Sequence, residues 1–415
     1  MPLPFRGTFA LCILPWLAAP LAAVDFDGVQ IHGFVSQGYL LTTETDWFGS
    51  TQDPGTFEFS EVAINVSTQP VERLRIGLQL VARDFADSGD NSVEVDWAFA
   101  DWRATERAGL KVGRIKMPYG LYNESRDLDF DHATVFLPQV IYLPQLRDYT
   151  LAINGAMLYG GLKPGTAGQL DGVVFGGGQN AREDGDLANY LTDLGAGDRF
   201  TDIHVDAVAG AVVTWLAPLD GLRMRLSGVG FWGFSADGQS EAVPIRGSPG
   251  VNADLDISTK IDQFYSGVAS IEYQRQGLIL AAEYLLEYGK TDTSVTAHPY
   301  TFVPGPLPGS TIRVELPEQP SQRSGYTRTE AMYAAASYRM LDRYELSLSR
   351  QLSFADRENP SKKYDRSWAL AGRYDIFANW LVKAEWQYHS GNALDTGNDK
   401  PEHWTVFALK TTVDF

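Results

Sequence analysis

The 415-residue chain carries 52 acidic against 34 basic residues, a formal net charge of −18. That balance excludes nucleic acid as a partner, since phosphate binding needs basic patches. The only cysteine, Cys12, excludes a disulfide scaffold or thiolate metal site, and the six histidines are scattered without ligand spacing, so no cofactor or metal is expected.

Arg6 is the only charge before an apolar run from Phe9 to Ala23, interrupted by Pro15 and Pro20. Leu21, Ala22 and Ala23 then offer small residues for cleavage before the acidic Asp25. A positive start, an apolar middle and a small-residue exit predict a secretory signal peptide over 1–23, leaving 24–415 as a single domain. No later apolar run reaches the length of a transmembrane helix, so a membrane location requires a closed barrel.

After the leader the chain reads as alternating strands. Val29, Ile31, Val35 and Tyr39 share one face of the first, and Val62, Ile64 and Val66 one face of the second. Leu74, Ile76, Leu78 and Leu80 alternate with Arg73, Arg75 and Gln79, and Val93, Val95, Trp97 and Phe99 form the fourth apolar stripe. A fifth strand runs through Leu110 and Val112, its phase ambiguous past Gly113. Ile153, Met157 and Tyr159 mark the sixth, a Gly-rich stretch over 169–179 the seventh, and Ile203, Val205, Val213 and Trp215 the eighth. Leu222, Met224 and Leu226 oppose Arg223, Arg225 and Ser227, and further stripes follow near Tyr265–Tyr273, Leu278–Tyr288, 328–339, Tyr344–Phe354, Trp368–Tyr374 and Trp380–Tyr388. In the last strand Thr405, Phe407, Leu409, Thr411, Val413 and Phe415 alternate with Lys410, Thr412 and Asp414.

Period-two alternation with one greasy face is the pattern of a strand between lipid and a wet lumen. The total is about sixteen, an even number as such barrels require. Short connections (68–72, 104–108, 217–220, 274–276, 339–342, 375–379) alternate with long ones (42–56, 84–92, 118–148, 179–201, 235–260, 290–326, 355–364, 390–402). Outer-membrane barrels sort their loops in this way, with short periplasmic turns and long external loops. The expected fold is therefore an all-β, antiparallel transmembrane barrel. Its third loop, about Leu121–Asp148, is expected to fold inward, while 290–326, rich in proline, is expected to be an external cover. Tyr39, Trp215, Trp232, Trp368 and Trp404 are expected in interfacial girdles.

The run Leu110-Lys-Val-Gly-Arg-Ile-Lys-Met-Pro-Tyr-Gly-Leu-Tyr122, followed by Phe136-Leu-Pro-Gln139 and Tyr142, resembles Gram-negative porins of the general and phosphate-porin-like group. Asp96-Trp-Ala-Phe-Ala-Asp-Trp102 just upstream is similar too. Specific likeness spans about 90–160, with architecture and the terminal Phe415 agreeing elsewhere. The resemblance implies a homotrimeric diffusion channel in the outer membrane of a Gram-negative bacterium, with Phe415 read by the barrel-assembly machinery. The chain lacks the lysine-rich lumen stripe of phosphate-selective members.

Within this frame Glu124, Asp127, Asp129 and Asp131 of the third loop are the expected constriction acids. Arg75, Arg83, Arg114, Arg223 and Arg225 are the expected basic wall opposing them, with Lys116 joining if a bulge turns it inward. Arg126 and Arg147 are expected to pin the loop by salt bridges. Gly228-Val-Gly-Phe-Trp-Gly233 matches a dinucleotide motif but lies inside a strand, so that reading fails its context. Acids in the long loops are expected to face divalent cations and lipopolysaccharide. The expected function is passive diffusion of small hydrophilic solutes or ions, with mild cation preference and no enzymatic chemistry. A substrate-specific channel for a sugar, organic acid or anion, a non-conducting structural barrel, and a barrel lipase or protease are the rivals.

Overall fold

The computed structural model describes residues 24–415 except 27, 48, 86–88, 90, 164, 180, 307–309, 362 and 395–400. The predicted leader, 1–23, lies outside the described residues. Sixteen strands form a continuous antiparallel ring. The first eight are β1 (Val29–Thr43), β2 (Phe59–Val71), β3 (Leu74–Phe85), β4 (Val93–Arg103), β5 (Ala108–Lys116), β6 (Ala152–Leu162), β7 (Gln169–Gly178) and β8 (Ala207–Leu216). The second eight are β9 (Leu222–Pro244), β10 (Val251–Arg275), β11 (Leu278–Pro304), β12 (Glu330–Met340), β13 (Tyr344–Phe354), β14 (Tyr364–Phe377), β15 (Trp380–Gly391) and β16 (His403–Asp414). Each pairs with its successor, and β16 returns to β1 in register from Phe34↔Asp414 to Thr43↔Thr405.

Closure removes the free edges that an open sheet would leave. At the seam Phe415 exchanges two backbone hydrogen bonds with Gly33, each 2.9 Å. The Phe415 ring occupies the space where a Cβ on residue 33 would sit, 2.5 Å from such an atom. Glycine at 33 therefore lets the terminal aromatic lie flat on the wall.

The two faces of the ring differ as the alternation requires. Leu346, Leu348, Trp368, Leu370, Trp386, Phe407 and Leu409 are exposed on one face. Ser347, Ser349, Ser367, Lys383, Glu385, Gln387 and Lys410 are buried on the other. Exposed apolar residues continue round the ring through Val62, Ile64, Leu78, Leu158 and Leu226. So broad an apolar belt exceeds what a soluble monomer normally shows and fits contact with lipid.

Four expectations need correction. In β4 the stripe is broken by a bulge: Gln79 faces Trp97 while Leu80 faces Val95, leaving Asp96 as the extra residue. Val93 and Val95 stay exposed, but Trp97 and Phe99 turn to pack over Gly77, and Asp96 is buried. The proposed eighth strand is two: 199–204 pairs with the upper part of β9, and β8 begins at Ala207. Ile203 and Val205 are buried whereas Val213 and Trp215 are exposed, so the phase flips between them. The loops expected over 235–260 and 290–326 are mostly strand. Arms β9, β10 and β11 run on to 23, 25 and 27 residues, and the strands Thr311–Glu315 and Gln319–Thr327 pair back on β11. A membrane strand needs only about 9–11 residues, so these arms extend well past a bilayer. Trp404 also leaves the predicted girdle: it is buried, stacked on His389 at 3.8 Å and beside Trp47.

Candidate functional site

The segment between β5 and β6, residues 117–151, holds little regular structure beyond short helical turns. Its fixed position comes from side chains of the ring's buried face. At one end Gly120 N–H donates to Ser227 Oγ of β9 (3.0 Å), and the Tyr119 hydroxyl pairs with Ser266 of β10 (2.5 Å). The Glu283 carboxylate of β11 accepts from Leu121 N–H (2.8 Å), Tyr142 (2.6 Å), Ser270 (2.6 Å) and Tyr333 of β12 (2.8 Å). Tyr122 donates to Glu272 of β10 at 2.9 Å.

The middle of the segment is held by the other side of the ring. Asp129 lies 2.9 Å from Lys383 of β15 and 2.8 Å from Lys410 of β16, and accepts from Thr412 at 2.6 Å. Ser36 of β1 is 3.4 Å away, and Lys410 also pairs with Glu61 of β2. Burial alone would raise the Asp129 pKa, but the two ammonium groups outweigh it and hold the carboxylate well below its usual range. Glu385 of β15 accepts from the backbone N–H groups of Val135 (2.6 Å) and Phe136 (3.0 Å), and Arg373 of β14 donates to Phe130 O at 2.6 Å. Apolar contacts follow the same division. Phe136 stacks on Phe59 with rings 5.8 Å apart and meets Phe85 edge-on, while Leu137, Val140 and Ile141 join Leu285, Val268 and Tyr333. β1 and β9 stand half-way round the ring from each other.

Three of the four expected constriction acids, Glu124, Asp127 and Asp129, thus have partners. Asp127 takes Arg147 on both oxygens (3.0 and 2.9 Å) and Lys116 at 2.9 Å. Burial pushes its pKa up, but Arg147 and Lys116 override that and hold it well below the usual range. Glu124 pairs with Arg225 at 3.2 Å, and Asp131 is exposed. Of the expected wall, Arg83 pairs with Asp186, Arg223 with Glu272 at 3.0 Å, and Arg114 donates to Asp96 O at 3.1 Å. Arg75 is exposed and touches Ser67. Arg147 joins the segment to the ring through Asp96 of β4 at 2.9 Å, whereas Arg126 bonds, among the described residues, within the segment, to Leu143 O (3.2 Å) and Tyr142 O (3.4 Å). Lys116 reaches inward past Gly113, whose φ is +130° and whose Cβ would lie 2.2 Å from Ala98 O.

The sequence reading missed Lys383, Lys410, Glu61, Asp96 and Glu283 as site residues. Each was visible as a polar group on a lumen-side position, yet Lys383 and Asp129 lie 254 residues apart and no spacing rule links them. Asp186, an acid of the expected external loop 179–201, instead opens the helix Asp186–Asp193 and pairs with Arg83. That helix packs Leu187, Ala188 and Leu191 with Phe231 and Phe234 of β9. Among the described residues no cluster of His, Asp and Glu is placed to hold a metal ion.

A closed ring of sixteen antiparallel strands, greasy outside and polar inside, with alternating short and long connections, is the fold of outer-membrane porins. No family model and no curated protein matches the chain, but solved structures do. The chain is similar to outer-membrane expressed OmpT of Vibrio cholerae (TM-score 0.55, 12% identity, 95% of this chain and 100% of that one). It is equally similar to OmpF of Salmonella typhi in complex with daunomycin (0.55, 15%, 95% and 100%). The anion-selective porin of Comamonas acidovorans aligns at 0.54, with 12% identity over 93% and 99%. At these identities the likeness establishes the fold.

Proposed function

We propose that the chain is a passive channel of the outer membrane, in which residues 117–151 lie across the lumen and narrow it. The observation that carries this reading is the bonding of one segment to the buried polar faces of β1, β15 and β16 and also of β9, β10 and β11. A chain that touches opposite arcs of a ring from the inside has to cross it. No chemistry is required: solutes are sorted by the width left beside the segment and by the charges there. Export by the 1–23 leader and contact of the loop acids with lipopolysaccharide belong to the same proposal and rest on the sequence pattern, while a homotrimer and recognition of Phe415 by the assembly machinery rest on the family resemblance.

A second reading is a closed, structural barrel, favoured by the small volume, about 70 Å³, of the crevice between the segment and the wall of β2, β3 and β16. Reconstitution of the full-length protein in planar bilayers decides between them. Stepwise currents support the channel; a folded protein that gives none across a wide voltage range leaves the structural barrel.

A further inference from the structure

Two arginines stand where the alternation calls for hydrocarbon contact. Arg350 of β13 is in phase with the exposed Leu346 and Leu348, and Arg366 of β14 with the exposed Trp368 and Leu370, so both lie on the ring's apolar outer face. Arg350 pairs across with Trp368, which makes Arg366 its diagonal neighbour on that face, about 7–8 Å away. Each guanidinium stacks on a ring, Arg350 over Trp368 and Arg366 over Tyr364, both at 5.0 Å. Stacking on a ring face leaves the N–H edges available, and among the described residues neither arginine has a carboxylate at ion-pair distance. Glu330, the acid of that face on β12, accepts from Tyr284 at 2.7 Å. A charge turned toward hydrocarbon is costly unless it is paired. Both arginines lie near the strand ends Tyr364 and Phe354, within about 13 Å along the strand. Those ends adjoin the long connection 355–363, and long connections face outward in such barrels.

The wall beside them is hollow. Ala282, Ala334 and Ala336 floor a depression of about 500 Å³, with Leu280, Leu348 and Trp368 as its sides and Arg350 on its rim. A second depression, of about 510 Å³, lies over Gly228, Gly230 and Gly267, with Trp232, Tyr288 and Arg357 at its border. Ala269 and Tyr284, paired across β10 and β11, separate the two. An apolar cavity of about 150 Å³ holds benzene, so each depression is large enough for an acyl chain. Two apolar depressions and three arginines on one wall match a lipid with several acyl chains and more than one phosphate.

We propose that the outer wall of β9–β14 binds such a lipid, a multiply acylated, bisphosphorylated lipid of the external leaflet. One phosphate is shared by Arg350 and Arg366, one acyl chain lies in the alanine depression, and a second chain lies in the glycine depression near Arg357. The planar fork of a guanidinium suits phosphate oxygens, and bonds between two ionised groups are the strong ones. This contact differs from the one expected at the loop acids, where two anionic groups meet through a divalent cation. Here the phosphate meets protein cations directly, so chelating divalent cations leaves it intact. The inference rests on the membrane-spanning barrel and not on conduction.

Native mass spectrometry of the full-length protein in detergent with EDTA tests it. The probes are bisphosphoryl lipid A, the same lipid stripped of its phosphates, phosphatidylglycerol and inorganic phosphate. The variants are Arg350→Gln/Arg366→Gln and Ala334→Leu, each checked as a folded barrel by a heat-shift on SDS gels. The wild type is expected to bind bisphosphoryl lipid A and to keep it in millimolar inorganic phosphate. Both variants should bind it about tenfold more weakly or worse, and the wild type should bind the dephosphorylated lipid and phosphatidylglycerol more weakly by a similar factor. Equal binding by either folded variant, equal binding of the dephosphorylated lipid or of phosphatidylglycerol, or loss of binding in EDTA overturns the inference. So does displacement by inorganic phosphate, since the depressions would then contribute nothing. A barrel that binds the lipid but carries no current leaves this inference standing and removes only the channel reading.

Discussion

The segment 117–151 is held on two arcs of the ring by different chemistry. On the β15–β16–β1 arc the anchor is ionic: Asp129 sits between Lys383 and Lys410, and Lys410 also meets Glu61. On the β9–β12 arc the buried anchor is a carboxylate without a cation, Glu283, satisfied by three hydroxyls and one backbone N–H, beside Tyr122 on Glu272 and the half-exposed Glu124–Arg225 pair. The difference matters for what each arc tolerates. Removing one member of a buried ion pair strands the other charge, at about 3–5 kcal/mol. A hydrogen bond to a charged group contributes about 1.5–3 kcal/mol, and the hydroxyls that lose it retain some capacity to pair with one another.

The largest effect is therefore expected from Asp129→Asn, which leaves Lys410 with Glu61 and Lys383 with the Thr134 carbonyl but no carboxylate partner. The barrel should lose about 3 kcal/mol or more in urea unfolding from detergent, and the channel current should become noisy as the segment loosens. Stability within about 0.5 kcal/mol of the wild type would show that the ionic arc holds nothing.

Glu283→Gln should cost less, about 1–2 kcal/mol, since the amide oxygen still accepts from Tyr142 and Tyr333. A loss larger than that of Asp129→Asn inverts the ranking of the two arcs.

At the seam, Gly33→Ala puts a methyl against the Phe415 ring and 2.6 Å from Ala63 O. A cost of about 1–3 kcal/mol from overpacking is expected, with slower acquisition of the heat-resistant form. Leucine at 415 together with alanine at 33 should recover part of it; no recovery removes the packing account of the terminal aromatic.

Acid should act late on the ionic arc. A carboxylate whose folded pKa is depressed stabilises above its unfolded pKa of about 4 and loses that contribution only as pH falls through the folded value. Asp127 and Asp129 are both held well below the usual range, so their anchoring should be unchanged from about pH 8 to pH 5. Current noise that rises already near pH 5–6 in the wild type but not in Glu283→Gln would locate the weak arc at Glu283 instead.

The smallest effect is expected from Glu124→Gln. Its pair with Arg225 leaves Glu124 about half exposed, and exposed pairs contribute about 0–1 kcal/mol.

Much of this architecture was legible in the chain. The greasy stripes of Leu346–Leu348–Leu352 and Trp380–Val382–Trp386 show period two without ambiguity, because lipid enforces one apolar face. The alternation failed where no lipid enforces it. The arms over 235–260 and 290–326 rise beyond the bilayer, so Thr291, Thr293 and Val295 alternate with residues equally exposed to water and leave no stripe to read. The bulge at Asp96 was hidden for another reason. Trp97 and Phe99 are apolar, and only Gly77 opposite tells that they face inward. Loop acids were legible as a group, but their partners were not, since pairing across a ring depends on which strands closure brings opposite.

The central claim is that a segment anchored on two arcs sets the width of the lumen. Single-channel conductance of the wild type against the double variant Asp129→Asn/Glu283→Gln tests it most directly. Release of both anchors should raise the conductance several-fold with frequent substates; a folded double variant with the wild-type conductance and the same quiet current would contradict it.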